Sequence, residues 1–336
     1  MVPAILTTST APAVSVIMAS YNHESFVAKA VSTVLEQTFG NLELIAVDDG
    51  SSDATPDVVA SIKDARVKLI RLPVNRAVHP RNLALTHARG RYVAFQNSDD
   101  EWLPEKLALQ VAVMDGEPNA SACFTAVTII DGAGQPATGT WADRLFITEE
   151  LSQTGWLRRF FDVGNCVALP SAMVRRAQLA TLGGFRASLI QVGDFDVWVR
   201  LAAYGRLRWL PAAVTRLRIL DDTNLSAPNP IATRRSQLEH AIVCERYLEP
   251  SLLDMFDSVF GDVSGAKSAG ARKVALAQRA LDRHSNVGVM FAERAIASVL
   301  ENPQERADAV AEHGADFIKE FFVRRGSWAL VPQQNI

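Results

Sequence analysis

Two apolar runs in this chain pass directly into adjacent carboxylates. Leu42–Val47 (LELIAV) leads into Asp48-Asp49, and Tyr92–Phe95 (YVAF), inside the stretch RYVAFQNSDDEW, leads into Asn97-Ser98-Asp99-Asp100. β-branched and aromatic runs of this length suit strands covered on both faces. Hydrophobic drive does not put paired carboxylates at a strand end, because desolvated charge costs several kcal/mol unless it is paired or metal-bound. In an open α/β sheet, ligands bind at the carboxyl ends of strands. An acidic end there suits a divalent cation that a polyphosphate also grips. The competing reading is a solvated turn followed by a helix cap.

The segments around these runs set the topology. Val14–Ala19 (VSVIMA) and Val67–Leu72 read as two more strands. Between the strands, apolar residues recur at spacings of three and four: Phe26, Val27, Ala30, Val31, Val34 and Leu35, then Val58, Val59 and Ile62. Thr55 before Pro56 reads as a capped helix start, and Pro80–Ala88 as a short helix closed by Gly90. This βαβαβαβ alternation implies parallel strands with crossover helices. Beyond Trp102 the expectations are a helix after Pro104, a strand at 122–130 turning at Asp131-Gly132 into a hairpin, and a strand at 167–175 interrupted by Pro170. A short helix stopped by Gly183-Gly184 follows, then a helix opening at Gly193-Asp194-Phe195-Asp196-Val197-Trp198. Strands at 207–210 and 214–220 close the sheet region. Residues 137–165 read poorly, with an aromatic helix near Trp156, Phe160 and Phe161. The turn-rich 221–232 reads as a linker and 233–336 as a helical appendage without a chemical motif, while 1–13 reads as a disordered tail.

At 336 residues the chain suits one large domain with an appendage, or two domains. A net charge of -3 without a basic stripe gives no reason to expect nucleic acid as a partner. Cys123, Cys166 and Cys244 lack CxxC spacing and read as reduced core residues. The first dozen residues do not read as a signal peptide, and no segment reaches the roughly 18 apolar residues of a spanning helix. The expectation is a cytoplasmic protein, at most peripheral to the inner face of the membrane.

The combination of VSVIMASYN, LELIAVDDGSSD, RYVAFQNSDDEWLPEKL and GDFDVWVRL resembles the inverting family 2 glycosyltransferases with the GT-A fold, over roughly Val14 to Leu220. Asn75-Arg76-Ala77-Val78-His79-Pro80-Arg81-Asn82 is similar to the family's NxG…ARN segment, with Ala77 where a glycine is usual. The resemblance implies a Rossmann-like, mixed and mostly parallel α/β sheet flanked by helices, with a nucleotide-binding half at 14–103 and an acceptor half at 104–220. It also implies roles. Ala19 and Tyr21 flank the nucleobase, Asp49 bonds the base or ribose, and Arg81 lies near the nucleotide. Asn97-Ser98-Asp99 stands in the DxD position, with Asp99 meeting Mn2+ or Mg2+ and Asn97 and Ser98 facing the nucleotide. Asp194 matches the catalytic base, and Gly184, Asp196 and Trp198 belong to the acceptor side or its support. Asn97 departs from the pattern and removes one charge, for which Asp100 either compensates or caps the next helix.

The activity so implied moves a sugar from a UDP-, dTDP- or GDP-sugar to a hydroxyl of a glycan or glycolipid by single displacement, in polysaccharide or glycoconjugate biosynthesis. Asp194 would take the acceptor proton and a divalent ion would neutralise the departing diphosphate. His23, His79 and His87 lie near the presumed site without metal-ligand spacing, and are read as solvated or core-edge residues. A nucleotidyltransferase would carry a glycine-rich loop where Ser20–Glu24 stands, and no GxGxxG marks a dinucleotide enzyme. A non-catalytic sugar-nucleotide-binding or scaffold protein is the alternative that Asn97 keeps open. The helical region is expected to serve packing, a homodimer or docking.

Overall fold

A computed structural model describes residues 11–75, 79–143, 145–146, 149–220, 225, 227, 229–261 and 265–326. Its centre is an eight-stranded mixed sheet. Four parallel strands make the first half: β1 (Val14–Ser20), β2 (Leu42–Asp48), β3 (Val67–Arg71) and β4 (Tyr92–Asn97), side by side as β3-β2-β1-β4. Helices α1 (Val27–Leu35), α2 (Thr55–Ser61) and α3 (His79–His87) link them. Alternation along the strands sorts side chains into two cores. Ile17, Val93 and Phe95 face one, and Val16, Met18, Tyr92 and Ala94 face the other. In register, Ala19 sits between Val47 and Asn97, so the strands release their polar ends at one level.

The second half contains β5 (Glu101–Trp102), α4 (Lys106–Gly116), β6 (Ala120–Ile130), α5 (Gln153–Asp162), β7 (Met173–Arg175), α6 (Arg176–Thr181), α7 (Gly193–Tyr204) and β8 (Arg206–Arg218). The sheet continues as β4-β7-β6-β8-β5. Four strand spacings of about 4.8 Å would separate β4 from β5 by ~19 Å in a flat sheet. The four residue steps from Asn97 to Glu101 reach at most ~14 Å. The sheet therefore curls beyond β4, and the Asn97–Asp100 turn spans from β4 to β5, the last strand of the order.

Several expectations are corrected. The chain does turn back at Asp131-Gly132, but only over a short return: Asp131 N–H donates to Gln135 O, Ala137 N–H to Ile129 O, and Ile130 bridges Pro136 antiparallel, without a full second strand among the described residues. β6 spends its edge on β8, in parallel along its length. The strand expected at 167–175 shrinks to three residues, because Pro170 sits in a 3-10 turn, Leu169–Ser171, whose Pro170 carbonyl accepts from the Trp102 indole at 3.0 Å. The two strands expected at 207–220 are one, β8, and Pro211 falls at its register shift. Thr55 does not cap α2; it is the first helical residue, its N–H held by Asp53 at 2.9 Å.

Helices from α8 (Pro230–Cys244) onward share a core with the sheet region. The Phe161 ring meets Tyr247, Phe260 and Phe291 edge-on at centroid distances of 4.9, 5.2 and 5.3 Å. Among the described residues no helix is long and apolar enough to cross a membrane. Most of the expected tail at 1–13, much of the linker at 221–232, and Arg76, Ala77 and Val78 of the ARN-like segment lie outside the described residues.

Candidate active site

Three loops meet at the carboxyl ends of β1, β2 and β4. The first two are laced together. Asn22, in the left-handed region at φ 51°, accepts from Ser52 N–H at 2.8 Å and donates its own N–H to Ser51 Oγ at 3.0 Å. His23 N–H donates to Thr55 Oγ1 at 2.8 Å, and Glu24 Oε2 accepts from Ala54 N–H at 2.8 Å. Gly50 is required here: its φ is +76°, and a Cβ would stand 2.7 Å from the Val74 backbone. Tyr21 is left exposed, Ala19 is half-buried, and Asp49 is buried with its N–H on Ser20 O at 2.8 Å.

The third loop is the Asn97–Asp100 turn. Asp100 is a brace within it: one carboxylate oxygen accepts from Asn97 Nδ2 at 2.8 Å and the other from Arg218 N–H at 2.7 Å. Arg218 grips the turn from β8. Its Nε donates to Asp99 O at 2.7 Å, Nη1 to Asp131 O at 2.6 Å and Nη2 to Glu101 Oε1 at 2.6 Å. Its guanidinium lies 5.0 Å from the Phe26 ring centroid. His23 Nδ1 is 2.8 Å from Ser98 Oγ. Burial pushes the Asp99 carboxyl up, and the charges of His23 and Arg218 act against that push. The Asp100 carboxyl is driven well above its ordinary value by burial and then by Asp99 beside it. Among the described residues no group of three His, Cys, Asp or Glu is placed to hold a metal.

The other wall comes from α3, α6 and α7. Asn82 clamps Phe185, donating to its carbonyl at 2.8 Å and accepting its N–H at 2.9 Å. Gly184 follows the end of α6 at φ +71°, where a Cβ would stand 2.7 Å from Asn82 Oδ1. Asp194, in the first turn of α7, accepts from Phe195 N–H at 2.8 Å and from Asn165 Nδ2 at 3.3 Å. Burial raises its carboxyl, while the Phe195 N–H, Arg81 and Asn165 pull it down. Arg81 feels both Asp194 and Asp49, which oppose the fall that burial imposes on it. Asp49, Arg81 and Asp194 are thus joined electrostatically, and Ser98 and Asp99 are linked through His23.

Asp196 and Trp198 stand apart. Asp196 is fully buried in ion pairs with Arg200 at 2.6 Å and Arg246 at 2.9 Å. Trp198 is fully buried, its ring 5.0 Å from Phe124 and 6.3 Å from Phe95. Sequence reasoning passed over His23 as a solvated or core-edge residue and missed Arg218 and Asn165. The signal for His23 was its place directly after the first strand end. Arg218 had none, since its partners at 99 and 131 lie far away along the chain.

Residues 15–177 match the sequence profile described as "Glycosyl transferase family 2", which stops short of Asp194. The Escherichia coli "UDP-Glc:alpha-D-GlcNAc-diphosphoundecaprenol beta-1,3-glucosyltransferase WfgD" is 44% identical over 102 residues, 30% of this chain and 40% of that one. The chain thus spans less than half the length of that relative, and 42% of WfaP from the same organism. EpsE of Bacillus subtilis (strain 168), named as a glycosyltransferase, is 30% identical over 200 residues, 58% of this chain and 68% of its own. Two solved structures share the fold. S. aureus TarS 1-349 in complex with UDP-GlcNAc superposes with a TM-score of 0.56 at 19% identity, covering 91% of this chain and 92% of TarS 1-349. The mannosyltransferase PcManGT of Pyrobaculum calidifontis, in complex with GDP-Man and Mn2+, gives 0.55 at 17% identity, covering 97% and 89%. On the profile match and the identity retained across two-thirds of EpsE, the chain belongs to glycosyl transferase family 2.

Proposed function

We propose that this chain transfers a sugar from a nucleoside diphosphate sugar to a hydroxyl of a glycan or glycolipid, in polysaccharide or glycoconjugate biosynthesis, by a single inverting displacement. The observation that carries the proposal is Arg81, whose guanidinium feels the charge of both Asp49, proposed for the nucleotide side, and Asp194, proposed for the acceptor side. In this reading Tyr21 and Ala19 flank the nucleobase, Asp49 and Asn97 bond the base or ribose, and Ser98 is held by His23. Arg81 offers positive charge to the nucleotide's phosphates and pulls the Asp194 carboxyl down against the rise that burial imposes. Asp194 takes the proton of the acceptor hydroxyl as that oxygen attacks the anomeric carbon from the face opposite the diphosphate.

Both Asp100 oxygens are engaged within the protein, and Asp99 stands at the last position of the DxD-like segment. Hard cations such as Mg2+ are commonly held by one or two carboxylates together with substrate phosphates. The donor set therefore fits a cation shared with a bound diphosphate, held by Asp99. When bound, such an ion supplies Lewis-acid neutralisation of the leaving diphosphate. The lipid diphosphate in the WfgD name supports a lipid-linked acceptor, and hence work at the inner face of a membrane without crossing it.

The test is calorimetric binding of UDP, GDP and dTDP, with and without Mn2+, to wild type and Asp99→Asn. Metal-dependent binding of one nucleotide, lost in the variant, supports the site and names the donor class. Binding of none overturns the proposal and favours a scaffold protein of the same fold. A chain that binds nucleotide yet turns over no donor, and is indifferent to Asp194→Asn, is the non-catalytic reading.

A further inference from the structure

The carboxylate of Glu239, on α8, accepts three consecutive backbone N–H groups: Ile190 at 3.0 Å, Gln191 at 2.7 Å and Val192 at 3.0 Å. Glu239 is buried, and Val192 immediately precedes the first residue of α7. The next residue on α8, His240, lays its ring 5.2 Å from that of Phe195. Just beyond the end of α8, Arg246 donates to Asp196 at 2.9 Å. The other oxygen of Asp196 receives Arg200, whose Nη2 reaches the Gly184 carbonyl at 2.7 Å. The grips from Glu239, His240 and Arg246 fall on residues 190–192, 195 and 196, on either side of Asp194, and those three residues all lie beyond the sheet region.

We propose that Glu239 is a positioning residue: through the 190–192 backbone it fixes the first turn of α7 and with it the place and direction of the Asp194 carboxylate. The inference rests on the reading of Asp194 as the base. Three consecutive backbone N–H groups leading into the helix would otherwise need water, and a buried carboxylate satisfies all three at once. Val192, the N-cap residue of α7, makes no side-chain cap of its own, so the anchoring there comes from α8. The helical region thus acts on the chemistry without touching substrate. A displacement of about 1 Å at a reacting group can cost on the order of 100-fold.

The experiment compares full-length wild type, Glu239→Gln, Glu239→Ala and Asp194→Asn. Three readouts are taken on each: hydrogen exchange of amides 186–196, calorimetric binding of the nucleoside diphosphate that wild type binds with Mn2+, and turnover of the matching nucleotide sugar. The expected result for Glu239→Ala is faster exchange at 186–196, nucleotide affinity within about 2-fold of wild type, and kcat lower by roughly 10–100-fold. Glu239→Gln keeps the shape and one acceptor oxygen, and should fall between. Wild-type kcat in Glu239→Ala despite faster exchange would overturn the proposal. So would unchanged exchange, or a loss of nucleotide binding in Glu239→Gln that parallels its loss of turnover. Full turnover by Asp194→Asn instead removes the base reading, while the exchange data still report on the clamp itself.

Discussion

The Asn82 side chain holds both backbone groups of Phe185, donating to its carbonyl at 2.8 Å and receiving its N–H at 2.9 Å, across 103 residues of sequence. This one amide ties the helix that carries Arg81 to the glycine turn that precedes α7.

Asn82→Ala leaves a part-buried N–H and C=O of Phe185 without their partner. The expected cost is about 1–3 kcal/mol in urea unfolding. Gly184→Ala should cost at least as much, because it combines a φ of +71° with a Cβ 2.7 Å from Asn82 Oδ1. The double variant should lose less than the sum, since both break the same contact.

Arg218→Met removes the bonds that Nε, Nη1 and Nη2 give to Asp99 O, Asp131 O and Glu101, and leaves Glu101 with Arg216. We expect a loss on the order of 3 kcal/mol, with weaker metal-dependent nucleotide binding. Arg218→Lys should recover part of the stability but not the forked geometry, so the nucleotide affinity should stay low. Denaturant unfolding and calorimetry separate the two effects.

Asp194→Asn should lower kcat by roughly 10²–10⁴-fold while leaving nucleotide binding intact. The same variant has a stability signature. Burial raises the Asp194 carboxyl in the folded chain above its unfolded value. Its contribution to stability is therefore complete below the ordinary carboxylate pKa and is lost as pH rises through the folded value. Wild type and variant should match at acid pH, and Asp194→Asn should melt higher at neutral pH by a few degrees. A lower melting point for the variant at neutral pH would contradict this.

Arg81 is one of the groups that hold the Asp194 carboxyl down against burial. Arg81→Met should move the acid limb of the kcat profile to higher pH, because the base then needs a higher pH to ionise. Arg81→Lys should restore most of the position of that limb. A pH–rate series on the three proteins checks the direction.

Trp198 is fully buried, and its indole nitrogen has no hydrogen-bond partner among the described residues. Trp198→Phe trades lost packing against relief of that buried N–H, so the net cost should stay under about 2 kcal/mol. Nucleotide affinity should not change, which calorimetry will show. Its place between Phe95 and Phe124 makes it a wall of the core behind the crevice.

The first half of the sheet was legible because each strand is an apolar run bounded by polar residues, a signal carried within the run itself. β4, for example, has five buried residues before Asn97. β5 could not be read, since two residues carry no period, and β7 was obscured by Pro170. The residues proposed for the donor side, such as Asp49 and Asn97, were visible through their clustering at strand ends. The supports of that site were not. Glu239 and Arg246 look in sequence like ordinary charges in a helical stretch, and their function appears only when residues about 50 positions apart are brought together.

The Asn97–Asp100 turn has a further meaning for how such a chain can vary. Four residue steps buckle β5, one end of a curled sheet, back to β4 in its interior, with Arg218 as the pin. A buckle fixes circumference: inserting a strand between β4 and β5 would tear the turn from Arg218. Growth of the sheet is open only at β3, the end of the strand order away from β5. Diversity in donor or acceptor must therefore be written into the loops and the β3 side, around a closure that stays the same size.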